Sequence, residues 1–145
     1  MDNFKLETKN SEPSVEDKKV VVEGMIAYHV SKGHIRKEKD EHFSIIIKDQ
    51  KNKTLGAIVA SFRWGAMHIE TLWIDKTMRN KGWGTKLMNL VEQEASKRNC
   101  HLMYTDTYSW QAPRFYEKLG YVLYGKLDDF PKGCSLSYYA KKLEK

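Results

Sequence analysis

The residues best suited to chemistry in this chain are Arg79-Asn80-Lys81-Gly82-Trp83-Gly84, set between an apolar segment and an amphipathic one. Residues 69–75 read as a strand, and residues 85–98 carry apolar side chains at helical spacing. A strand, a tight basic glycine turn and a helix together make a place to hold phosphates. The turn points backbone N–H groups outward, the helix start adds a partial positive charge, and Arg79 and Lys81 add full ones. Glycine lets the backbone turn sharply and approach a ligand closely. The spacing fits neither the Gly-x4-Gly-Lys-Ser/Thr loop nor the Gly-x-Gly-x-x-Gly dinucleotide fingerprint.

Other chemistry finds less support. His29, His34, His42, His68 and His101 show no metal-ligand spacing, and Cys100 beside His101 is too little for a site. Cys100 and Cys134 lie far apart with no Cys-x-x-Cys pair, which argues against a disulfide scaffold or a zinc cluster and for a reducing cytosol. No metal is expected.

The elements that must position the turn follow from hydrophobic periodicity. Residues 3–8 alternate around Phe4 and Leu6 as a first strand. Pro13 marks a break, and Ser14 with Asp17 three residues on reads as a helix start. Val22, Met25, Ile26, His29 and Val30 recur at helical spacing, although residues 20–22 also suit a strand. Residues 33–40 form a charged connection. Residues 42–48 and 55–64 are apolar strands joined by a polar turn, which suggests an antiparallel hairpin that residues 69–75 extend.

After the glycine turn, Leu87, Met88, Leu90, Val91 and Ala95 make an apolar stripe, with Glu94 and Arg98 paired four apart. Residues 101–108 form a strand, and residues 112–119 a short helix with Pro113 in its first turn and Gly120 as its stop. Residues 121–127 and 135–143 are closing strands. The expected order is strand, helix, three strands, helix, strand, helix, two strands. The fold class is mixed α/β, with one right-handed crossover that sets residues 69–75 and 101–108 parallel.

The chain has 145 residues, of which 41% are hydrophobic, and this suits a single domain spanning residues 1–145 with a sizeable core. No apolar run approaches the roughly 18 residues that cross a membrane, and the polar start is unlike a secretory signal. These features point to the cytoplasm. The formal net charge of +6 comes from scattered residues, with clusters at 36–39, 48–53 and 141–145. They read as solvated faces with a soft attraction for polyanions, including a phosphate-rich cofactor, and no nucleic-acid module signature is present.

Two segments in sequence order carry a resemblance to a known family. Arg-x-x-Gly-x-Gly at residues 79–84 resembles the acetyl-coenzyme A loop of the GNAT N-acetyltransferase superfamily. Gln111-Ala112-Pro113-Arg114-Phe115-Tyr116-Glu117-Lys118-Leu119-Gly120-Tyr121 resembles the closing helix of the same enzymes. The resemblance covers residues 55–127. The Asp129-Phe130-Pro131-Lys132-Gly133 loop is further similar to a subgroup of small bacterial members.

The resemblance implies a mostly antiparallel sheet with a parallel pair splayed apart in the middle and helices around it. It implies transfer of an acetyl group from acetyl-coenzyme A, as co-substrate, to a primary amine. Arg79, Asn80, Lys81, Gly82, Trp83, Gly84 and Thr85 would hold the pyrophosphate. Leu72, Trp73 and Ile74 would pair with the pantetheine arm as a strand pairs, and a backbone N–H of Trp73 or Ile74 would meet the thioester oxygen. Ser109, Ala112 and Phe115 would complete the cofactor side, although Ser109 and Gln111 equally suit a helix cap. Tyr116 matches the thiolate-side tyrosine and also suits packing beside Phe115.

The acceptor amine, with a pKa near roughly 10, needs a base or a water relay. The candidate is Glu70, placed by strict alternation on the side of Leu72 and Ile74, where apolar neighbours would raise its pKa. Asp106 and a water chain are the competitors, and Asp106 could instead orient an amine. Trp64, Trp73 and Trp110 suit either an acceptor pocket or a core. Asp128 and Asp129 suit either a cationic amine or a solvated turn.

The expected acceptor is a small molecule such as a polyamine, an amino sugar or an antibiotic. A protein lysine or N-terminal amine is the nearest alternative, and a non-catalytic acyl-coenzyme A sensor is the alternative from another class. Neither nucleic acid nor membrane is an expected partner. A homodimer is compatible with strands left exposed.

Overall fold

The computed structural model describes residues 3–35 and 40–144. The chain falls into two compact units, Met1–Lys37 and Glu38–Lys145. The basic cluster at residues 36–39 lies outside the described residues.

The first unit holds helix α1 (Val15–Ser31). The Asp17 N–H donates to Ser14 Oγ at 3.1 Å, and the Ser14 hydroxyl donates to the Asp17 carboxylate at 2.8 Å. This reciprocal pair closes the helix start as the spacing predicts, and residues 20–22 are helical. The expected first strand over residues 3–8 does not form. A strand needs a neighbour for its N–H and C=O groups, and the described part of this unit contains no second one. Phe4 and Leu6 alternate but stay exposed.

The second unit is a six-stranded sheet with helices against it. Its strands are β1 (Glu41–Lys48), β2 (Thr54–Arg63), β3 (Ala66–Ile74), β4 (Leu102–Tyr108), β5 (Val122–Asp128) and β6 (Ser135–Lys142). They lie in the order β1-β2-β3-β4-β6-β5, antiparallel throughout except for the β3–β4 pair. Helix α2 (Trp83–Lys97) crosses from β3 to β4, and α3 (Pro113–Lys118) follows β4.

The α2 stripe buries Leu87, Met88, Val91 and Ala95. They join Ile58, Ala60 and Phe62 of β2, Met67 and Ile69 of β3 and Met103 of β4 in one core. Each such aliphatic side chain contributes about 1.5–3 kcal/mol relative to exposure. Arg98 fastens the end of α2, donating to Glu94 at 2.9 Å and to Glu41 of β1 at 2.6 Å.

Two irregularities in the middle of the sheet set up everything that follows. The parallel ladder between β3 and β4 runs only from Ala66↔Leu102 to Ile69↔Thr105. Directly after it β3 bulges, because Ile69 pairs with Ala60 of β2 and Thr71 with Val59, which leaves Glu70 without a cross-strand partner. A bulge adds one residue and bends the strand, so β3 turns away from β4 at the point where their pairing stops. The Thr105 hydroxyl, buried, donates to the Ile69 carbonyl at 3.0 Å and clamps the fork.

The bulge also corrects the alternation argument for Glu70. Leu72 and Ile74 face α2 with Ile58 and Gly56, whereas Thr71 and Trp73 face the opposite side with Val59 and Ala57. Glu70 sits at the step between the two registers and is exposed. The apolar enclosure expected from strict alternation is therefore absent.

Thr105→Val keeps the volume at the fork but leaves a buried carbonyl without its donor. It is expected to lower unfolding stability by about 1–3 kcal/mol in urea titration. An unchanged midpoint would show that the clamp carries no stability.

Candidate functional site

Beyond the fork, the space between β3 and β4 opens as a cleft of about 1000 Å³. Residues 69–74 of β3 form one wall and residues 105–108 of β4 the other. The turn into α2 and the start of α3 close its ends. On the edge facing β4, β3 has no ladder partner past Ile69. Its main chain there is open to an extended, amide-bearing molecule that pairs as a strand would.

The turn gathers cations beside an uncapped helix start. Asp75 accepts from the Thr77 N–H at 2.9 Å and the Thr77 hydroxyl at 2.6 Å, and those bonds hold its carboxyl below the usual value. Its charge thus serves the short 3-10 turn Lys76–Met78. Arg79 donates through Nε to the Ile74 carbonyl at 3.0 Å, which fastens the guanidinium to the end of β3. The remaining N–H groups of that fork are not used by this bond.

Asn80 and Gly82 adopt left-handed backbone, with φ of 59° and 81°. Gly82 is the N-cap of α2, no side chain caps that end, and no acid stands in its first turn. The first N–H groups of a 15-residue helix therefore face outward with their dipole unopposed. Lys86 adds a cation over the Trp83 ring at 4.9 Å.

Trp83 and Gly84 belong to the first turn of α2, two residues before the predicted start. Gly84 has a packing duty there. A Cβ on it would lie 3.3 Å from the Phe115 ring, so glycine lets α2 and α3 approach closely.

Of the residues singled out from the sequence, Leu72, Trp73, Ile74, Arg79, Asn80, Gly82, Trp83, Gly84, Thr85, Ala112, Phe115, Tyr116 and Glu70 line the cleft together. Lys81 is exposed beside it. Ser109 is engaged elsewhere, exchanging bonds with Ser135 at the start of β6 (3.2 Å from the Ser135 N–H, 2.9 Å to its carbonyl). The cap of α3 is Ala112, and Gln111 instead accepts from the Tyr108 N–H at 2.8 Å. Thr105 escaped the sequence reading. Its signal was a hydroxyl residue on the buried side of β4 between Met103 and Thr107, where a polar group must find a partner.

Tyr116 is the titratable group that the cleft perturbs. It is buried, and its ring packs edge-on to Tyr121 at 5.8 Å. Burial pushes its phenol above 10.0, and the Asp106 carboxylate adds to the shift. Tyr116 is therefore a neutral hydrogen-bond donor across the neutral range. Among the described residues no group of three His, Cys, Asp or Glu side chains is placed to hold a metal ion, and no helix is long and apolar enough to cross a membrane.

The model of the acetyltransferase (GNAT) family matches residues 9–121. An acetyltransferase of Agrobacterium fabrum is 28% identical over 127 residues, covering 88% of this chain and 91% of that protein. The blasticidin-S acetyltransferase of Streptomyces morookaense is 30% identical over 95 residues, covering 65% of this chain and 70% of that one. The crystal structure of an acetyltransferase from Bacillus cereus superposes with a TM-score of 0.82 at 29% identity, covering 94% of this chain and 98% of the other.

The buried phenols set a pH dependence. The Tyr116 and Tyr121 phenols are both raised above 10.0 in the folded chain, each mainly by burial. A raised folded pKa favours the neutral form, so this stabilisation is complete below pH 10.0 and is lost as pH rises through the folded values. The urea midpoint is expected to fall above about pH 10, and to fall less steeply in Tyr121→Phe. An identical alkaline limb in that variant would remove the phenol from the account.

Proposed function

The chain belongs to the GNAT acetyltransferase family, and on that premise we propose that it moves an acetyl group from acetyl-coenzyme A directly to a primary amine of a small molecule. One observation carries the reading: the β3–β4 ladder stops at Ile69↔Thr105, and the cleft this opens runs to the uncapped start of α2. A long molecule with an anionic end and an amide-bearing arm fits that layout. Its diphosphate would lie at Arg79, Asn80, Gly82 and the first N–H groups of α2, with Lys86 nearby. Its arm would pair with the open edge of β3 at Leu72, Trp73 and Ile74.

The thioester then lies in the fork. Attack by a neutral amine forms a C–N bond at the carbonyl carbon while the C–S bond breaks. Binding both reactants side by side supplies much of the advantage. A backbone N–H of Trp73 or Ile74 would take the developing oxygen charge. Tyr116, held neutral by burial, would donate a hydrogen bond to the sulfur as its charge develops, and the thiolate, whose own pKa is about 8.5, would leave as the anion. Glu70 is exposed on the rim of the same cleft, and would take the amine proton directly or through water. Support for a small acceptor comes from the relative named blasticidin-S acetyltransferase.

Release of free thiol from acetyl-coenzyme A with a panel of amines tests the reading; coenzyme A bound without any thiol release would overturn it. Gly82→Asp places a carboxylate at the helix start in a backbone region that disfavours side chains. Coenzyme A affinity should drop by at least about tenfold in calorimetry, because the anion site now repels phosphate. Tyr116→Phe should lower kcat by about 100-fold with cofactor affinity little changed. Glu70→Gln should lower kcat by about 100-fold with coenzyme A affinity unchanged, and unaltered turnover would leave the water relay as the base.

A further inference from the structure

The cleft has a second wall whose chemistry is the reverse of the anion-holding end. On the sheet face opposite α2, Asp106 stands directly across from Tyr138 of β6. Tyr104 and Tyr108 flank it two residues away on the same strand, hence on the same face. Tyr124 of β5 lies against Tyr138, with ring centroids 6.0 Å apart. Tyr108 continues into Trp110, the two rings stacked at 4.5 Å and 8°, and Phe130 sits 6.3 Å from Tyr108. Trp110 is 59% exposed and Phe130 48%, so these rings present faces and are not filling a core.

Asp106 is exposed, lines the cleft, and forms no ion pair among the described residues. It is adjacent to the clamp residue Thr105, so it stands at the mouth of the fork. Counting on from Ile69↔Thr105 past the bulge at Glu70 sets Thr71 level with Asp106 and Trp73 level with Tyr108. Thr71 and Trp73 face the same side as Asp106, so aromatic surface borders the carboxylate on both strands.

We infer that Asp106, with the Tyr108–Trp110 ring pair beside it, holds a second cationic group on the acceptor, so that the substrate is a primary amine bearing another ammonium, amidinium or guanidinium a few bonds away. The inference rests on the acetyl-transfer reading above. A carboxylate attracts cations, and ring faces add to that attraction. With Glu70 proposed to take the proton of the reacting nitrogen, Asp106 is left to meet a different cationic group of the acceptor. Held against a second cation, the same charge aligns the acceptor and leaves the reacting amine free to lose its proton. The cleft is thus divided by the sheet: cations and helix N–H groups on the α2 side for a polyanionic donor, a carboxylate and rings on the opposite face for a cationic acceptor.

A matched series tests this: butylamine, 1,4-diaminobutane, agmatine and 4-aminobutanoate share a primary amine and differ at the far end. The kcat/KM for thiol release should be at least about tenfold higher for the diamine or agmatine than for butylamine, and lowest for 4-aminobutanoate. Asp106→Asn should shrink that preference to about threefold or less through KM, with coenzyme A affinity unchanged in calorimetry. Binding is read separately, without turnover, as agmatine quenching of tryptophan fluorescence with coenzyme A present. Agmatine binding that Asp106→Asn abolishes, in a protein that acetylates no amine, would uphold the cation site while overturning the acetyl-transfer reading. Turnover with equal preference across the series, or agmatine binding and turnover indifferent to Asp106→Asn, would overturn the cation site alone. No agmatine binding in either protein would also overturn it.

Discussion

The proposed chemistry depends on where two parallel strands stop bonding. Four residue pairs hold β3 to β4, from Ala66↔Leu102 to Ile69↔Thr105, and then the ladder ends. Unpaired main chain in a sheet centre is costly unless something satisfies it. The chain limits the damage in two ways. The bulge at Glu70 turns β3 aside while keeping it bonded to β2, and the Thr105 side chain takes over the last carbonyl. What remains open is an edge inside the molecule, bordered by two strands too far apart to bond each other. Edges exposed on a sheet rim invite aggregation; one enclosed between strands can admit only a narrow, extended molecule.

The fork also aligns the electrostatics. Helix α2 starts at the end of the connection leaving β3, so its positive end lies at the wide end of the cleft. The β4 wall carries Asp106 on the opposite face of the sheet from α2. A single topological event, the crossover from β3 to β4, therefore sets a cationic end and an anionic wall on the two sides of one gap. Solvent weakens each charge separately, but under the proposed function their arrangement would orient a bipolar pair of substrates without needing strong individual contacts.

Much of this was legible in the sequence, and what escaped has common causes. The α2 stripe and the glycine turn declare themselves through local spacing, because helix faces and left-handed turns are decided within a few residues. Trp83 and Gly84 shifted from turn to helix because the left-handed backbone is complete at Asn80 and Gly82, so the helix can begin at the next residue. The bulge at Glu70 was invisible, since it is defined by the register of β3 against β2, which no run of β3 residues encodes. The strand expected at residues 3–8 failed for a related reason: alternation states a preference for two faces but not the presence of a neighbour. Thr105 and Ser109 show the same limit, their partners Ile69 and Ser135 being 36 and 26 residues away.

Helices α2 and α3 are linked through the close approach of Gly84 to Phe115. Tyr116 stands on a helix of six residues, too short to hold its own position by backbone bonding alone. Its placement comes from packing: Phe115 against the bare Gly84 of α2 on one side, and Tyr121 and Tyr139 against the Tyr116 ring on the other. The same uncapped first turn of α2 thus seats Tyr116. A displacement of α2 that loosened the phosphate end would also shift Tyr116 relative to the fork. Under the proposed function, an anion at Gly82 and a hydrogen-bond donor at Tyr116 would not be independent sites, because one helix end is the ruler for both.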